Sequence, residues 1–187
     1  DAVWAVSSEG KVLERVDPAT NAVTGSAALG DTPGFLAAGE GAVWVQEQGD
    51  GTVAKVDPTS LTIAGRTKVG DNLKWGDIDA NGGAVWLRTT DDQTMVVIDP
   101  ATLAIRARMG PSVGSGALRW TPPGLWTSAH DTHTLSWGSA PTPWPDAAGA
   151  GMPASSWRAS RACARGGMLH HTRRHQLVRP GFNGFGV

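Results

Sequence analysis

The sequence lacks several features that define common protein classes. Its only cysteine, Cys163, excludes a disulfide bond within the chain. No apolar run is long enough to span a membrane, and no signal peptide is visible. A phosphate-binding glycine loop and a dinucleotide-binding fingerprint are also absent. Residues 1–137 contain no sustained helical spacing of apolar residues, so we expect no helix there.

Acidic residues are missing from the end of the chain. The 187 residues have a net charge of -1, which by itself does not indicate a nucleic-acid partner. All 17 acidic residues precede residue 150, whereas residues 150–187 contain arginines and no acid. This contrast predicts two different kinds of polypeptide in one chain.

What the sequence does contain is a repeat of about 40 residues. Each copy begins with a tryptophan in a short β-prone segment, at Trp4, Trp44, Trp86 and, more weakly, Trp126. An Asp-Pro pair follows the first three tryptophans at a constant distance, beginning at Asp17, Asp57 and Asp99. We interpret the tryptophans as packing residues between sheets, and the aspartates as turn caps.

Each repeat predicts four short strands separated by Gly, Pro and Asp turns. In the first repeat these strands are Ala2–Val6, Lys11–Val16, Ala22–Leu29 and Phe35–Ala38. Four strands in about 40 residues are typical of a propeller blade. We therefore predict an all-β fold, an incomplete β-propeller of three to four four-stranded blades over residues 1–137. The predicted blades cover about 2–41, 42–83 and 84–124, with a fourth starting at 125–137.

The repeat stops after Trp126. Ser139-Ala140 stands where an Asp-Pro pair is expected, and no further tryptophan segment appears near residue 166. We predict an irregular, disordered basic tail over 138–187. It is either a genuine basic tail that binds nucleic acid or an acidic surface, or an out-of-frame translation, and the abrupt change favours the second. Because Asp1 lies inside a repeat, we expect a truncated propeller; closure by oligomerisation is the alternative.

The unit from Val3-Trp4 through Val16-Asp17-Pro18 to Gly41-Ala42-Val43-Trp44 resembles bacterial YVTN-type propeller repeats. It also resembles the repeats of virginiamycin B lyase-like proteins. The resemblance implies an extracytoplasmic or secreted setting. For the lyase-like proteins it further implies a carbon–oxygen lyase with a metal-dependent site of His and Glu residues. The Pro-His-Gly pattern of those repeats is absent, since Gly34 follows Pro33, and only Glu47 matches the glutamate position.

One local cluster has residue types that could bind a metal: His130, Asp131 and His133. Because residues three apart on a strand face opposite sides, we favour solvated turn histidines over a metal site. Together with Glu47, these are the candidate ligand or metal residues, and no catalytic residue is assigned.

Three functions remain open. We favour a scaffold that binds a small molecule or a protein at an end face of the propeller. The alternatives are a metal-dependent lyase whose catalytic blades lie outside this chain and a purely structural fragment. No cofactor is predicted except a divalent metal under the lyase alternative.

Overall fold

The computed structural model describes residues 1–71, 73, 76–88, 95–109, 116–122, 124–130, 132–139 and 157–161. Within these ranges the chain forms fifteen β-strands and no helix. No described segment is a helix able to cross a membrane. The all-β prediction is therefore confirmed.

The strands form four antiparallel sheets in which neighbours along the chain pair with each other. Sheet 1 contains β1 (Val3–Ser7), β2 (Val12–Asp17) and β3 (Ala22–Ala28). Sheet 2 contains β4 (Pro33–Gly39), β5 (Ala42–Glu47), β6 (Thr52–Val56) and β7 (Ile63–Lys68).

The last two sheets repeat the order of sheet 2. Sheet 3 contains β8 (Ile78–Asn81), β9 (Ala84–Arg88), β10 (Met95–Ile98) and β11 (Ile105–Met109). Sheet 4 contains β12 (Leu118–Thr121), β13 (Gly124–Ala129), β14 (Thr134–Ser139) and β15 (Trp157–Arg161). In sheets 2 to 4 the first strand, which we call the inner strand, contacts the first strand of the adjacent sheet.

The sheets are offset from the sequence repeats by one strand. The last predicted strand of repeat 1 is β4, and it pairs with β5 of the next repeat through Gly39 and Ala42. A tight hairpin joins the two strands, with positive φ angles of 48° at Glu40 and 76° at Gly41. Such hairpins bring consecutive strands side by side, so each inner strand belongs to the following sheet.

Alternating side chains of each strand pack against two neighbouring sheets. On β5, Trp44 faces sheet 3 and packs in a cluster with Val85 and Leu87. Val43 and Val45, the residues directly before and after Trp44, face sheet 1. We call the side toward the next sheet in the chain the forward face and the opposite side the backward face. All of β5 is buried because both of its faces are covered.

The periodic tryptophans lie on the forward faces. Trp44 and Trp86 are 0% and 1% exposed, and Trp86 packs in a cluster with Leu118 and Leu125 of sheet 4. Trp126 is 41% exposed, because in the described part of the chain no sheet covers the forward face of sheet 4. Burial of these tryptophans therefore depends on the following sheet.

Two short parts of the predicted irregular tail form strands instead. β14 continues to Ser139, and β15 pairs with it from Gly138↔Trp157 to Thr134↔Arg161. An outer strand needs backbone pairing on one side only, so it can form without the repeat motif. The connection over 140–156 removes β15 from the repeat spacing, which is why periodicity did not reveal it. Residues 140–156 and 162–187 lie outside the described residues.

Candidate functional site

Each sheet has two ends that carry different connections. The Asp-Pro end contains the turns after β2, β6 and β10 and the hairpins that join β4 to β5 and β8 to β9. The crossover end contains the turns after β5 and β13 and the segments that lead from one sheet to the next. Three of the candidate residues lie at the crossover end: Glu47, His130 and His133.

Glu47 is fully buried and its carboxylate is occupied by protein donors. Oε1 accepts hydrogen bonds from Gly30 N at 2.7 Å and Arg66 Nη2 at 3.0 Å. Oε2 accepts from Thr52 Oγ1 at 2.6 Å and Arg66 Nε at 2.8 Å. The bidentate ion pair with Arg66 ties β5 to β7, and the hydrogen bond from Gly30 N ties β5 to the segment that enters sheet 2. A metal ion could bind here only by displacing these donors.

The pKa of Glu47 reflects the same contacts. Burial acts to raise this pKa, but the hydrogen bonds from Arg66, Thr52 and Gly30 outweigh it and hold the pKa below its ordinary value. The carboxylate therefore stays charged at neutral pH, and a proton-transfer role would need a pKa closer to neutrality. The geometry makes Glu47 a structural residue.

The position that holds histidine in lyase-like repeats is occupied here by Gly34. A Cβ atom at Gly34 would lie 2.8 Å from Cδ and 3.0 Å from Nε2 of Gln48. A histidine at this position would therefore require the Gln48 side chain to move. In this repeat both parts of the lyase-like pattern are altered, because the histidine is replaced and the glutamate is engaged by Arg66.

His130 and His133 lie in the tight turn between β13 and β14. Both are exposed, and His133 N donates to His130 O at 3.4 Å while the φ angle of His133 is 50°. Asp131 lies outside the described residues. The described part of the chain holds no group of three or more His, Cys, Asp or Glu side chains able to bind a metal.

The Asp-Pro aspartates act as turn caps. Asp57 Oδ1, for example, accepts from Thr59 N at 2.9 Å and Ser60 N at 2.7 Å. Backbone N–H donors, chiefly of Ala19, Ser60 and Thr102, lower the pKa values of Asp17, Asp57 and Asp99 respectively. These carboxylates satisfy the turn backbone, as the sequence pattern predicts.

Two further aspartates, Asp77 and Asp79, bind backbone N–H groups of the inner strands. Asp77 Oδ2 accepts from Leu118 N at 3.0 Å, and Asp79 Oδ2 accepts from Trp120 N at 2.6 Å. Each Oδ1 accepts from the following residue of β8 at 2.8 and 2.9 Å. The two carboxylates thus satisfy edge N–H groups of two inner strands. Their spacing of two residues, which places both side chains on the same side of an extended chain, was the sequence signal that could have identified them.

Near Glu47, one buried side chain has an unsatisfied polar atom. Gln46 is fully buried, and its Nε2 has no hydrogen-bond partner. Its Oε1 receives only a long contact of 3.5 Å from Gln48 Nε2. Phe35, next to Gly34 on the inner strand, is 45% exposed. This end of sheet 2 therefore combines an exposed aromatic ring with two amide side chains, and we call Phe35, Gln46 and Gln48 the amide patch.

Comparison with known proteins shows a likeness of fold. No protein-family model and no curated protein matches the chain. The hydrazine synthase of Kuenenia stuttgartiensis superposes with a TM-score of 0.61 and 17% identity, over 73% of this chain and 42% of that one. A catalytically inactive virginiamycin B lyase from Staphylococcus aureus, solved with quinupristin, gives 0.62 and 15%, over 74% and 49%. The chain spans less than half the length of either structure.

Proposed function

We propose that this chain is a propeller-type scaffold that binds a small molecule or a protein partner at its crossover end. The observation that carries the proposal is the occupation of the buried carboxylates by protein donors. Glu47 is held by Arg66, and Asp79 is held by backbone N–H groups. Such carboxylates maintain the scaffold and are not free to transfer protons or bind a metal.

The amide patch supplies the binding chemistry. Phe35 offers an exposed ring for apolar or stacking contact. The buried Gln46 Nε2 is a donor without an acceptor, and leaving such a group unsatisfied is unfavourable. The proposal requires a ligand that places an aromatic ring on Phe35 and reaches the fully buried Gln46 Nε2 with a carbonyl oxygen after the side chains that cover Gln46 move aside.

Benzamide is a suitable probe because it combines a ring with an amide carbonyl. We expect a nuclear magnetic resonance titration of the full chain to shift the signals of Phe35 and of the Gln46 and Gln48 side-chain amides. Phe35→Ser should abolish these shifts, whereas His133→Ser, at the same end of sheet 4, should preserve them. Shifts confined to other residues, or shifts that survive Phe35→Ser, would contradict the proposal.

The second candidate is a metal-dependent lyase, supported by the resemblance of the repeats and by the likeness to the virginiamycin B lyase fold. It would require a divalent metal. We expect no linear product when the chain is incubated with quinupristin and Mg²⁺, because Gly34 replaces the histidine and Arg66 engages Glu47. Metal-dependent formation of that product would favour the lyase. An extracytoplasmic setting is part of our proposal and rests on the repeat resemblance.

A further inference from the structure

The hairpin that joins β8 to β9 contains an Asn-Gly pair. Its residues are Asn81, Gly82, Gly83 and Ala84, and the first three are exposed. Gly82 N donates a hydrogen bond to Asn81 Oδ1 at 2.9 Å. This backbone nitrogen therefore lies against the side-chain carbonyl whose carbon it would attack in an intramolecular reaction. Holding two reacting groups in contact removes much of the entropic cost of bringing them together.

The packing of the hairpin requires glycine at position 82. The φ angle of Gly82 is 69°, and a Cβ atom there would collide with the Trp120 ring of sheet 4. Because glycine has no side chain, nothing on Gly82 itself shields its backbone nitrogen or blocks its approach to the Asn81 amide. The packing between sheets 3 and 4 therefore keeps a reactive pair on the surface.

Neighbouring groups hold the turn in this geometry. Gly83 N donates to Glu40 Oε1 of the preceding hairpin at 2.9 Å, and Gly83 O accepts from Arg106 Nη1 at 2.8 Å. Asn81 O accepts from the Trp86 indole N–H at 2.9 Å. The backbone on both sides of Gly82 is thus fixed, while the exposure of Asn81 gives water access to its side-chain amide.

We propose that Asn81 is a modification site, at which the side chain loses ammonia and becomes aspartate or isoaspartate. Gly82 N bonds to Asn81 Cγ, the Cγ–Nδ2 bond breaks, and the proton of Gly82 N leaves with Nδ2 as ammonia. Water then opens the resulting succinimide ring. Attack at Cγ gives aspartate, whereas attack at the backbone carbonyl carbon of Asn81 gives isoaspartate, in which the chain runs through Cβ and Cγ. Both products carry a new carboxylate.

Isoaspartate alters the contact between sheets 3 and 4. It inserts one methylene group into the backbone before Gly82, and it converts the carbonyl that binds the Trp86 indole N–H into a free carboxylate. Gly82 then no longer keeps its place beside Trp120, which stacks on Trp86. We expect the stack to open, because a close-packed contact tolerates little added volume. Asn81 lies at the opposite end from the amide patch, and the modification does not depend on the proposed function.

The experiment incubates the full chain in mildly alkaline buffer made with heavy-oxygen water and maps its peptides by mass spectrometry. We expect the peptide with Asn81 to lose the amide nitrogen, to gain one heavy oxygen and to contain isoaspartate as well as aspartate. Asn21 is the matched control and should react more slowly, because it is exposed but precedes Ala22, whose methyl group hinders the attack. Asn183-Gly184 has the same dipeptide and shows when the incubation is long enough.

Two variants separate the effect of the new charge from that of the longer backbone. Asn81→Ser lacks the amide and should keep the near-ultraviolet circular dichroism of the stacked tryptophans throughout the incubation. Freshly purified Asn81→Asp has the charge without the extra methylene group and should also keep this signal. The original chain should lose it as isoaspartate accumulates. Thermal midpoints of the fresh variants establish that both fold.

Retention of the Asn81 nitrogen after Asn183 has reacted would overturn the proposal, and so would a loss at Asn81 that is no faster than the loss at Asn21. A fall in circular dichroism that Asn81→Ser shares would contradict the link between isoaspartate and the tryptophan stack. Accumulation of isoaspartate without any fall would contradict the same link.

Discussion

The contact between sheets 2 and 3 and the contact between sheets 3 and 4 use different side chains at equivalent positions. At the first contact, Lys55 lies across the strand pair from Trp44, its Nζ donates to Pro100 O at 2.7 Å, and it lies 5.4 Å from the centre of the Trp44 ring. Arg15 of sheet 1 makes the corresponding bond to Pro58 O at 3.2 Å. A cation on one sheet thus binds the Asp-Pro turn of the next.

A second feature accompanies each of these turns. Leu61 and Leu103 have positive φ angles of 58° and 64°, and each is the fourth residue after a turn aspartate. Their side chains lie over Gly25 and Gly65 of the preceding sheet, where a Cβ atom would come within 2.4 and 2.3 Å of the leucine Cδ1 atoms. Glycine on one sheet therefore makes room for the leucine of the next.

The contact between sheets 3 and 4 lacks both features. Val97 stands at the position of Lys55, and Ala107 stands at the position of Gly65. Instead, Trp86 stacks on Trp120 with ring centres 5.3 Å apart and an interplanar angle of 14°. Arg88 also donates to the Thr127 hydroxyl, and Asp79 binds the edge of β12.

The two sides of this contact have changed together. Sheet 4 has Ser139 where an Asp-Pro pair is expected, and sheet 3 has lost the cation and the glycine that would receive such a turn. Val97 and Ala107 precede the point at which the repeat stops. The change in this contact therefore begins before Ser139, and the origin of the tail over 138–187 stays a prediction.

The largest expected effect on the free energy of unfolding distinguishes a tryptophan that is covered by the next sheet from one that is not. Trp44→Ala should lower the free energy of unfolding by about 3–5 kcal/mol, because it leaves a cavity between two sheets. Trp126→Ala should lower it by about 1 kcal/mol or less, because Trp126 is 41% exposed. Urea unfolding followed by circular dichroism measures both. Equal losses would show that a further element covers sheet 4 in solution.

An intermediate effect tests the glycine under Leu103. Gly65→Ala should destabilise the chain by about 1–2 kcal/mol, because the new methyl group displaces a leucine whose carbonyl is bound by Thr67 Oγ1 at 2.8 Å. Ala107→Gly is the reciprocal change at sheet 3, where we expect only about 0.5–1 kcal/mol from backbone entropy. If the urea midpoints fall equally, the two contacts do not differ as described.

The smallest effect concerns the cation. Lys55→Met keeps an apolar stem but removes the bond to Pro100, so it should lower the free energy of unfolding by about 1 kcal/mol. Arg119→Met is the control at the other contact, where the exposed Arg119 lies 3.5 Å from Asp79 and should matter by about 0.5 kcal/mol or less. Chemical denaturation with triplicate midpoints resolves this difference, and a larger loss for Arg119→Met would reverse the ranking.

The periodic sequence predicted most of the fold because its spacing records local structure. The Asp-Pro aspartates identified the turns, and the tryptophans identified strands with buried forward faces. The sequence did not predict which strands share a sheet, since Gly39 pairing with Ala42 depends on hairpin geometry rather than on repeat boundaries. It also missed β15, whose pairing with β14 needs no motif.

The candidate site was less predictable because partners distant in the chain decide what a carboxylate does. Glu47 matched a glutamate position by offset alone, but its role depends on Arg66, nineteen residues away on another strand. Asp77 and Asp79 are recognised as structural only when β12 lies beside β8. Residue type and spacing can point to these carboxylates, but they do not show which donors bind them.

The central claim is that Arg66, Thr52 and Gly30 occupy the carboxylate of Glu47. Titration of the Glu47 carboxyl carbon by nuclear magnetic resonance tests this claim most directly. A lowered folded-state pKa means that Glu47 stabilises the fold above its unfolded pKa of about 4.3, and that this contribution is lost as the pH falls through the folded value. We predict a titration midpoint below that of a free glutamate and unchanged by excess Mg²⁺. A midpoint at or above the free value, or one that Mg²⁺ shifts, would contradict the structural role of Glu47.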